Sequence, residues 1–296
     1  MLKREEIRLR DPFVFCDPAT KTYYLFGSTD VDTWGKTSVG FDCYESKDLE
    51  TFSSAIPAFR PDADFWGKYH FWAPEVYEVE GSYYMFASFK SDCCHRGTAV
   101  LKADRVTGPY LPWSDGAVTP RDWECLDGTL YTDKQGQKWM VFCHEWQQVG
   151  DGEMCLIRLT DDLKAAASEP KLLFHASDAA WSSSDFETEY ENNGENYVPD
   201  GPFLFEHPSG KLLMLWSTHT KNGYGIGLAV SESGLVEGPW VQEKTPVYDT
   251  DGGHGMIFCT FDGRLLLTIH SPNVTGEERA VYLPLAVTEE SIKIAE

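Results

Sequence analysis

The chain writes one short pattern five times: an apolar strand opened by a polar residue, a turn of Gly, Asp or Pro, a second apolar strand, another turn, and a third strand. The copies open at Arg10-Asp11-Pro12-Phe13, Phe71-Trp72-Ala73-Pro74-Glu75, Leu126-Asp127-Gly128, Asp200-Gly201-Pro202-Phe203 and Gly253-His254-Gly255. Their second strands are Thr22–Ser28, Tyr83–Ser88, Lys138–Phe142, Lys211–Ser217 and Arg264–Thr268. Supersecondary units recurring at about 50 to 70 residues are the mark of radial repetition. Five units of three or four short strands predict an all-β fold, a five-bladed β-propeller, as a single domain over residues 1–296. The turn Thr107-Gly-Pro-Tyr110 returns as Glu237-Gly-Pro-Trp240, which supports equivalent outer parts in blades two and four.

In a propeller the first strand of each blade lines the central channel. The blade-opening residues Asp11, Glu75, Asp127, Asp200 and His254 are therefore expected to converge near one mouth of it. Asp11, directly before Pro12, is expected in extended backbone, because the proline ring crowds the residue before it. The Ser-, Asp-, Glu- and Asn-rich stretch from Trp181 to Pro199 breaks the pattern and reads as a long loop over the fourth blade, beside the site or mobile. Residues 30–36 and 62–69, with Trp34, Phe65 and Trp66, are candidate rim walls.

Composition narrows the partners. Aromatic residues are 14% of the chain, high for a soluble protein, and strand faces or sugar-stacking platforms account for so many rings better than helices do. A formal net charge of -22 argues against nucleic acid and anionic membranes, both of which demand a basic surface, and leaves a neutral oligosaccharide as the easier partner. The stretch from Met1 to Arg10 is charged, and no apolar run approaches the roughly 20 residues of a membrane span. The expectation is a cytoplasmic protein whose oligomeric state the sequence does not give. The eight Cys lack zinc-site spacing and read mostly as buried thiols, with Cys93-Cys94 an adjacent pair.

Asp11, Asp127 and Asp200 on three inner strands are the material of a glycosidase, which normally sets two carboxyl groups across the scissile bond, one ionised and one protonated. A third carboxylate nearby raises the acid's pKa by like-charge repulsion. Arg10-Asp11-Pro12, Trp72-Ala73-Pro74-Glu75, Leu126-Asp127-Gly128 with Tyr131-Thr132-Asp133, Asp200-Gly201-Pro202 and Gly253-His254-Gly255 together resemble glycoside hydrolase family 43, in the family's order and over essentially the whole chain. The resemblance implies an inverting hydrolase of α-L-arabinofuranosides or β-xylosides, with the arabinofuranoside favoured. It also implies Asp11 as general base and Asp127 as the carboxylate that tunes and orients the acid. No cofactor is required for the chemistry, and the family's equivalent of His254 often helps hold a calcium ion or water at the axis.

One position departs from the pattern. The family's general acid is a Glu where this chain has Asp200, and the shorter side chain reaches roughly 1.5 Å less far, which matters because proton transfer needs hydrogen-bond reach. Either Asp200 acts in a readjusted site, or Glu145, Glu124, Glu187, Glu189 or Glu191 replaces it, or catalysis is impaired and the propeller binds sugar. Trp72, Glu75, Glu145, His270 and Arg279 are candidate substrate contacts: a ring for a sugar face, polar groups for its hydroxyls.

Overall fold

Strands that are apolar on both faces suit blades packed on both sides. Thr22–Ser28 is buried along its whole length, and the run from Tyr84 to Phe89 continues the same habit in the next blade. The computed structural model describes residues 1–186, 188 and 196–295. Five antiparallel sheets follow one another in sequence order. Their inner strands are Arg10–Asp17, Tyr69–Val79, Cys125–Thr132, Asp200–Glu206 and Gly253–Cys259. Inner strands of successive blades touch, and the last touches the first, so the ring closes into the expected five-bladed β-propeller.

The seam between blades five and one is electrostatic as well as apolar. Glu278, fully buried, receives Arg8 Nε and Arg10 Nη1, each at 3.1 Å, while its carbonyl accepts the Leu9 N–H at 3.1 Å. A buried carboxylate is tolerable only when paired in this way. Leu2–Lys3 adds an outer strand to blade one by pairing with Thr51–Phe52. The charge of the first ten residues therefore belongs to seam and edge packing. Rings from blades one and two pack together: Phe41, Phe59, Phe65, Phe71 and Phe89 form one cluster with centroids 4.9 to 6.1 Å apart.

Every inner strand carries the same irregularity at its start. Pairing with the second strand skips from Arg10 to Phe13, Trp72 to Glu75, Leu126 to Thr129, Asp200 to Phe203 and Gly253 to Met256. Such a bulge re-aims side chains and commonly sits beside active sites. The first bulged residue is in the left-handed region in all five blades: Asp11 φ 52°, Ala73 φ 47°, Asp127 φ 55°, Gly201 φ 47° and His254 φ 43°. Asp11 is thus not extended as the Asp-Pro rule predicts; the bulge overrides it. The same register corrects the expected equivalence of blade openings. Ala73 and Gly201 occupy the places of Asp11, Asp127 and His254, while Asp200 lies one residue earlier and Glu75 two residues later.

Candidate active site

The bulges build the site because each turns a backbone N–H toward the preceding blade. Ala73 donates to Ser28 Oγ, Asp127 to Ser88 Oγ and His254 to Ser217 Oγ, each at 2.8 Å, and Asp11 donates to His270 Nδ1 at 3.2 Å. These acceptors are the residues opposite the start of each bulge on the second strand. Blade three has Cys143 there, a weak acceptor, and the fifth N–H, from Gly201, goes to Asp127 Oδ2 at 3.2 Å instead. Non-glycine residues in left-handed backbone cost of order 1–3 kcal/mol each and persist where surroundings over-determine them, as this ring of bonds does. Gly201 has a second reason to be glycine: a Cβ there would stand 2.7 Å from the His254 ring.

Three carboxylates meet on one imidazole nitrogen. His254 Nδ1 is 3.3 Å from Asp11 Oδ1, 3.5 Å from Asp127 Oδ2 and 3.5 Å from Asp200 Oδ1. Burial disfavours a charged imidazole, yet Asp11, Asp127 and Asp200 together raise the His254 pKa to about 10. Burial likewise works against Asp11, but the His254 and Arg10 charges outweigh it and hold this carboxyl below its ordinary range. Ser28 Oγ also donates to Asp11 Oδ2 at 2.5 Å. A carboxylate oxygen of Asp127 and one of Asp200 lie within 4.8 Å of each other and of a His254 ring nitrogen, close enough for the two acids to titrate as a pair. Burial pushes the more enclosed Asp127 well up. Asp200 is held low despite its own burial, by its bonds to Asp127 and His254 and by the Tyr224 hydroxyl donating to Oδ2.

A protonated His254 supplies stability that is complete below its ordinary value of 6.5 and is lost as pH rises through about 10. Thermal melts from pH 6.5 to 10.5 are expected to show the wild type losing stability along that window. His254→Gln should melt lower throughout and with a flatter pH slope, the neutral variant costing about 3–5 kcal/mol through its stranded carboxylates. Parallel slopes would show that the imidazole is neutral.

Calcium binds six to eight oxygen ligands. The nearest metal-competent group among the described residues is Asp127, Asp200 and His254, a set that includes a nitrogen whose own positive charge already answers the carboxylates. Two carboxylate oxygens and one imidazole nitrogen fall short of the six to eight oxygens that calcium takes, so these three side chains do not by themselves make a calcium cage.

The charged cluster forms the floor of a cleft of about 300 Å3. Trp34 and Trp72, edge to face at 5.1 Å, make one wall. Glu145, joined to Trp72 through Arg96, lines it too, as do Trp146 and Phe186, with Tyr224 and His219 near Asp200. Trp34 is about half exposed and the Arg10 guanidinium lies 5.2 Å from its ring centroid, so its outer face is free for a flat apolar partner such as a sugar face. Phe186, Val198 and Pro199 bring both ends of the long loop to the cleft.

The other expected residues divide. Trp72 lines the cleft, and so does Glu145, whose carboxylate is paired with buried Arg96. Glu75 does not face the cleft: it sits two residues along the inner strand, bonded to Tyr77 and Thr129, and burial raises its pKa to about 7. His270 is fully buried behind Asp11, accepting its N–H, so it positions the carboxylate from outside the cleft. Arg279 is far from substrate reach, its guanidinium donating to the carbonyls of Glu5, Gly276 and Glu278 at the seam. Glu124 is engaged by Lys90, His95 and the Arg96 N–H, which take its pKa to about 2. Glu187, Glu189 and Glu191 lie outside the described residues. Sequence reasoning missed Tyr224 and the serines of the bond ring. Ser28, Ser88 and Ser217 each end a second strand in the repeat, a legible signal; Tyr224 sits on a third strand and carries none.

A family model described as "Glycosyl hydrolases family 43" matches residues 6–284. The chain belongs to glycosyl hydrolases family 43. The family 43 fold is matched by the crystal structure of an endo-arabinase from Bacteroides thetaiotaomicron, 41% identical, with a TM-score of 0.88 over 98% of this chain and 99% of that one. An endo-1,4-beta-xylanase structure from the same organism shares the fold at 24% identity and a TM-score of 0.76, over 98% and 95% of the two chains. Among curated proteins, the extracellular exo-alpha-(1->5)-L-arabinofuranosidase ArbA of Cellvibrio japonicus is 31% identical over 158 residues. That match takes in 47% of this chain and 44% of ArbA, so the chain spans less than half of that relative's length. The extracellular relative overturns the cytoplasmic expectation. The charge of Met1–Arg10, on which it rested, reflects the packing of the seam and not a compartment.

Proposed function

We propose that this family 43 glycosidase is an inverting, exo-acting α-L-arabinofuranosidase that removes terminal arabinose from short oligosaccharides. The observation that carries the reading is the gathering of Asp11, Asp127 and Asp200 within 3.5 Å of His254 Nδ1 on the cleft floor, with Asp11 held below its ordinary range and Asp127 pushed above it. An ionised Asp11 is fit to take a proton from water. The proton of the pair is available to the leaving oxygen through Asp200, the less buried member at 22% side-chain exposure against 5% for Asp127. Inversion is supported by membership of family 43, with one ionised and one protonated carboxyl acting across the scissile bond. A cleft of about 300 Å3 suits one or two sugar rings better than a long chain. Arabinose over xylose is supported by the arabinofuranosidase and endo-arabinase relatives.

Proton NMR of the first product from an aryl α-L-arabinofuranoside and an aryl β-xyloside tests this directly. The expected result is turnover of the arabinoside with β-arabinofuranose appearing before mutarotation. Initial α-product would overturn inversion, and faster xyloside turnover would overturn the sugar. One observation favours a second reading: Asp200 is held toward ionisation by Tyr224, the opposite of a poised acid. A weakly catalytic, sugar-binding propeller would show calorimetric binding of arabino-oligosaccharides with no hydrolysis of them.

A further inference from the structure

The hairpin joining Ser82–Ser91 to Cys94–Ala103 turns through Asp92 and Cys93, with Ser91 paired to Cys94. Cys93 and Cys94 are both exposed, and their sulfurs are 3.6 Å apart. The tip is anchored rather than loose: Asp92 bonds Lys36 and accepts the Tyr69 hydroxyl at 3.0 Å. Ser91 Oγ lies 3.4 Å from Cys93 Sγ, and its hydrogen bond, with that of Cys94, lowers the Cys93 pKa, which favours the reactive thiolate. The thiols open onto a groove separate from the cleft, with Phe65, Trp66, Asp64 and Arg121 among its walls.

From the tip the chain runs directly into the cleft wall. His95 Nδ1 is 2.8 Å from Glu124, and the Arg96 N–H donates to Glu124 Oε2 at 2.9 Å. The buried Arg96 guanidinium stacks 4.2 Å over the Trp72 ring, pairs with Glu145 and reaches His70 Nδ1 at 2.9 Å. Trp72 and Glu145 line the catalytic cleft. Arg96 is two residues from Cys94.

We infer that Cys93 and Cys94 form a dithiol site that chelates a soft, thiophilic electrophile of the trivalent-arsenical class, and that occupancy is transmitted through Arg96 to the Trp72–Glu145 wall. The reaction is balanced without an oxidant: an aryl arsenic(III) oxide forms two As–S bonds, and the two thiol protons leave with the arsenical oxygen as water. One atom bonded to both sulfurs bridges their present spacing. A disulfide, at about 2.05 Å, demands a larger collapse of the turn. The groove beside the thiols, walled by Phe65 and Trp66, receives the aryl group.

Phenylarsine oxide is the probe. Native mass spectrometry of the reduced full chain is expected to show one adduct that survives excess 2-mercaptoethanol and is removed by 2,3-dimercaptopropanol. Cys93→Ser and Cys94→Ser should each lose the monothiol-resistant adduct while keeping wild-type hydrolysis. In the wild type the adduct should raise KM severalfold with a smaller change in kcat, since the affected wall contacts substrate and not the reacting carboxylates. An adduct stripped by monothiol, or one retained in both Ser variants, would overturn the site. A full adduct that leaves KM unchanged would overturn the coupling. The mass readout does not depend on which glycoside the enzyme cleaves, so failure of the sugar assignment leaves the site test intact.

Discussion

Asp11→Asn is expected to lower kcat for arabinoside hydrolysis by about 10²–10⁴-fold, the range usual for loss of a general base. The substitution keeps the side chain's shape. It keeps the bond between the Asp11 N–H and His270, because that bond is made by the backbone. What it removes is the negative charge that His254 and Arg10 stabilise. The loss should therefore appear in kcat with the fold intact, checked by an unchanged circular-dichroism spectrum. Because the folded-state pKa of Asp11 is depressed, the wild-type acid limb should lie below the ordinary carboxylate range, with activity lost only as pH falls through that lowered value. The smaller Asp11→Ala should recover turnover in azide, which can fill the vacated position and attack the anomeric carbon. Activity unchanged in the Asn variant would remove Asp11 from the mechanism.

Substitutions at Asp200 are expected to separate leaving groups. Asp200→Ala should cost about 10²–10⁴-fold on oligosaccharides, whose leaving oxygen needs a proton, and far less on dinitrophenyl glycosides, whose leaving group does not. Equal losses on both would show that Asp200 binds substrate and does not protonate it. Asp200→Glu restores the residue type usual in the family, but in this chain Tyr224 and His254 both bond the carboxylate at its present length. The longer side chain is expected to displace those partners and lose activity to a similar extent; a gain would identify Asp200 as a truncated acid in an otherwise ordinary site. Tyr224→Phe removes a donor that favours the charged form of Asp200. The alkaline limb of kcat/KM should therefore move to higher pH in that variant. A limb that stays in place would mean that Tyr224 does not set the proton of the pair.

The blades were legible because each repeats turn chemistry and strand hydrophobicity at fixed order, and the cleft-floor residues Asp11, Asp127, Asp200 and His254 were legible because they open those blades. Glu75 and Arg279 were misplaced for different reasons. Glu75 follows the bulge in blade two, and a bulge changes which face each later residue takes without leaving a clear mark in composition. Arg279 is an ordinary cation whose partners are carbonyls supplied by the seam, from Glu5 and its own neighbours. Tyr224 meets Asp200 across 24 residues and two strands, a pairing set by sheet register alone.

The sequence by itself determined the architecture and which acids gather at its axis, since strand periodicity and repeat order are local properties summed along the chain. Tertiary structure decided what those acids are. The five bulges aim them, and a single imidazole nitrogen within 3.5 Å of three carboxylates holds a proton there. Protonation depends on burial and distance between residues up to 243 positions apart, such as Asp11 and His254, and neither quantity is written in the order of residues.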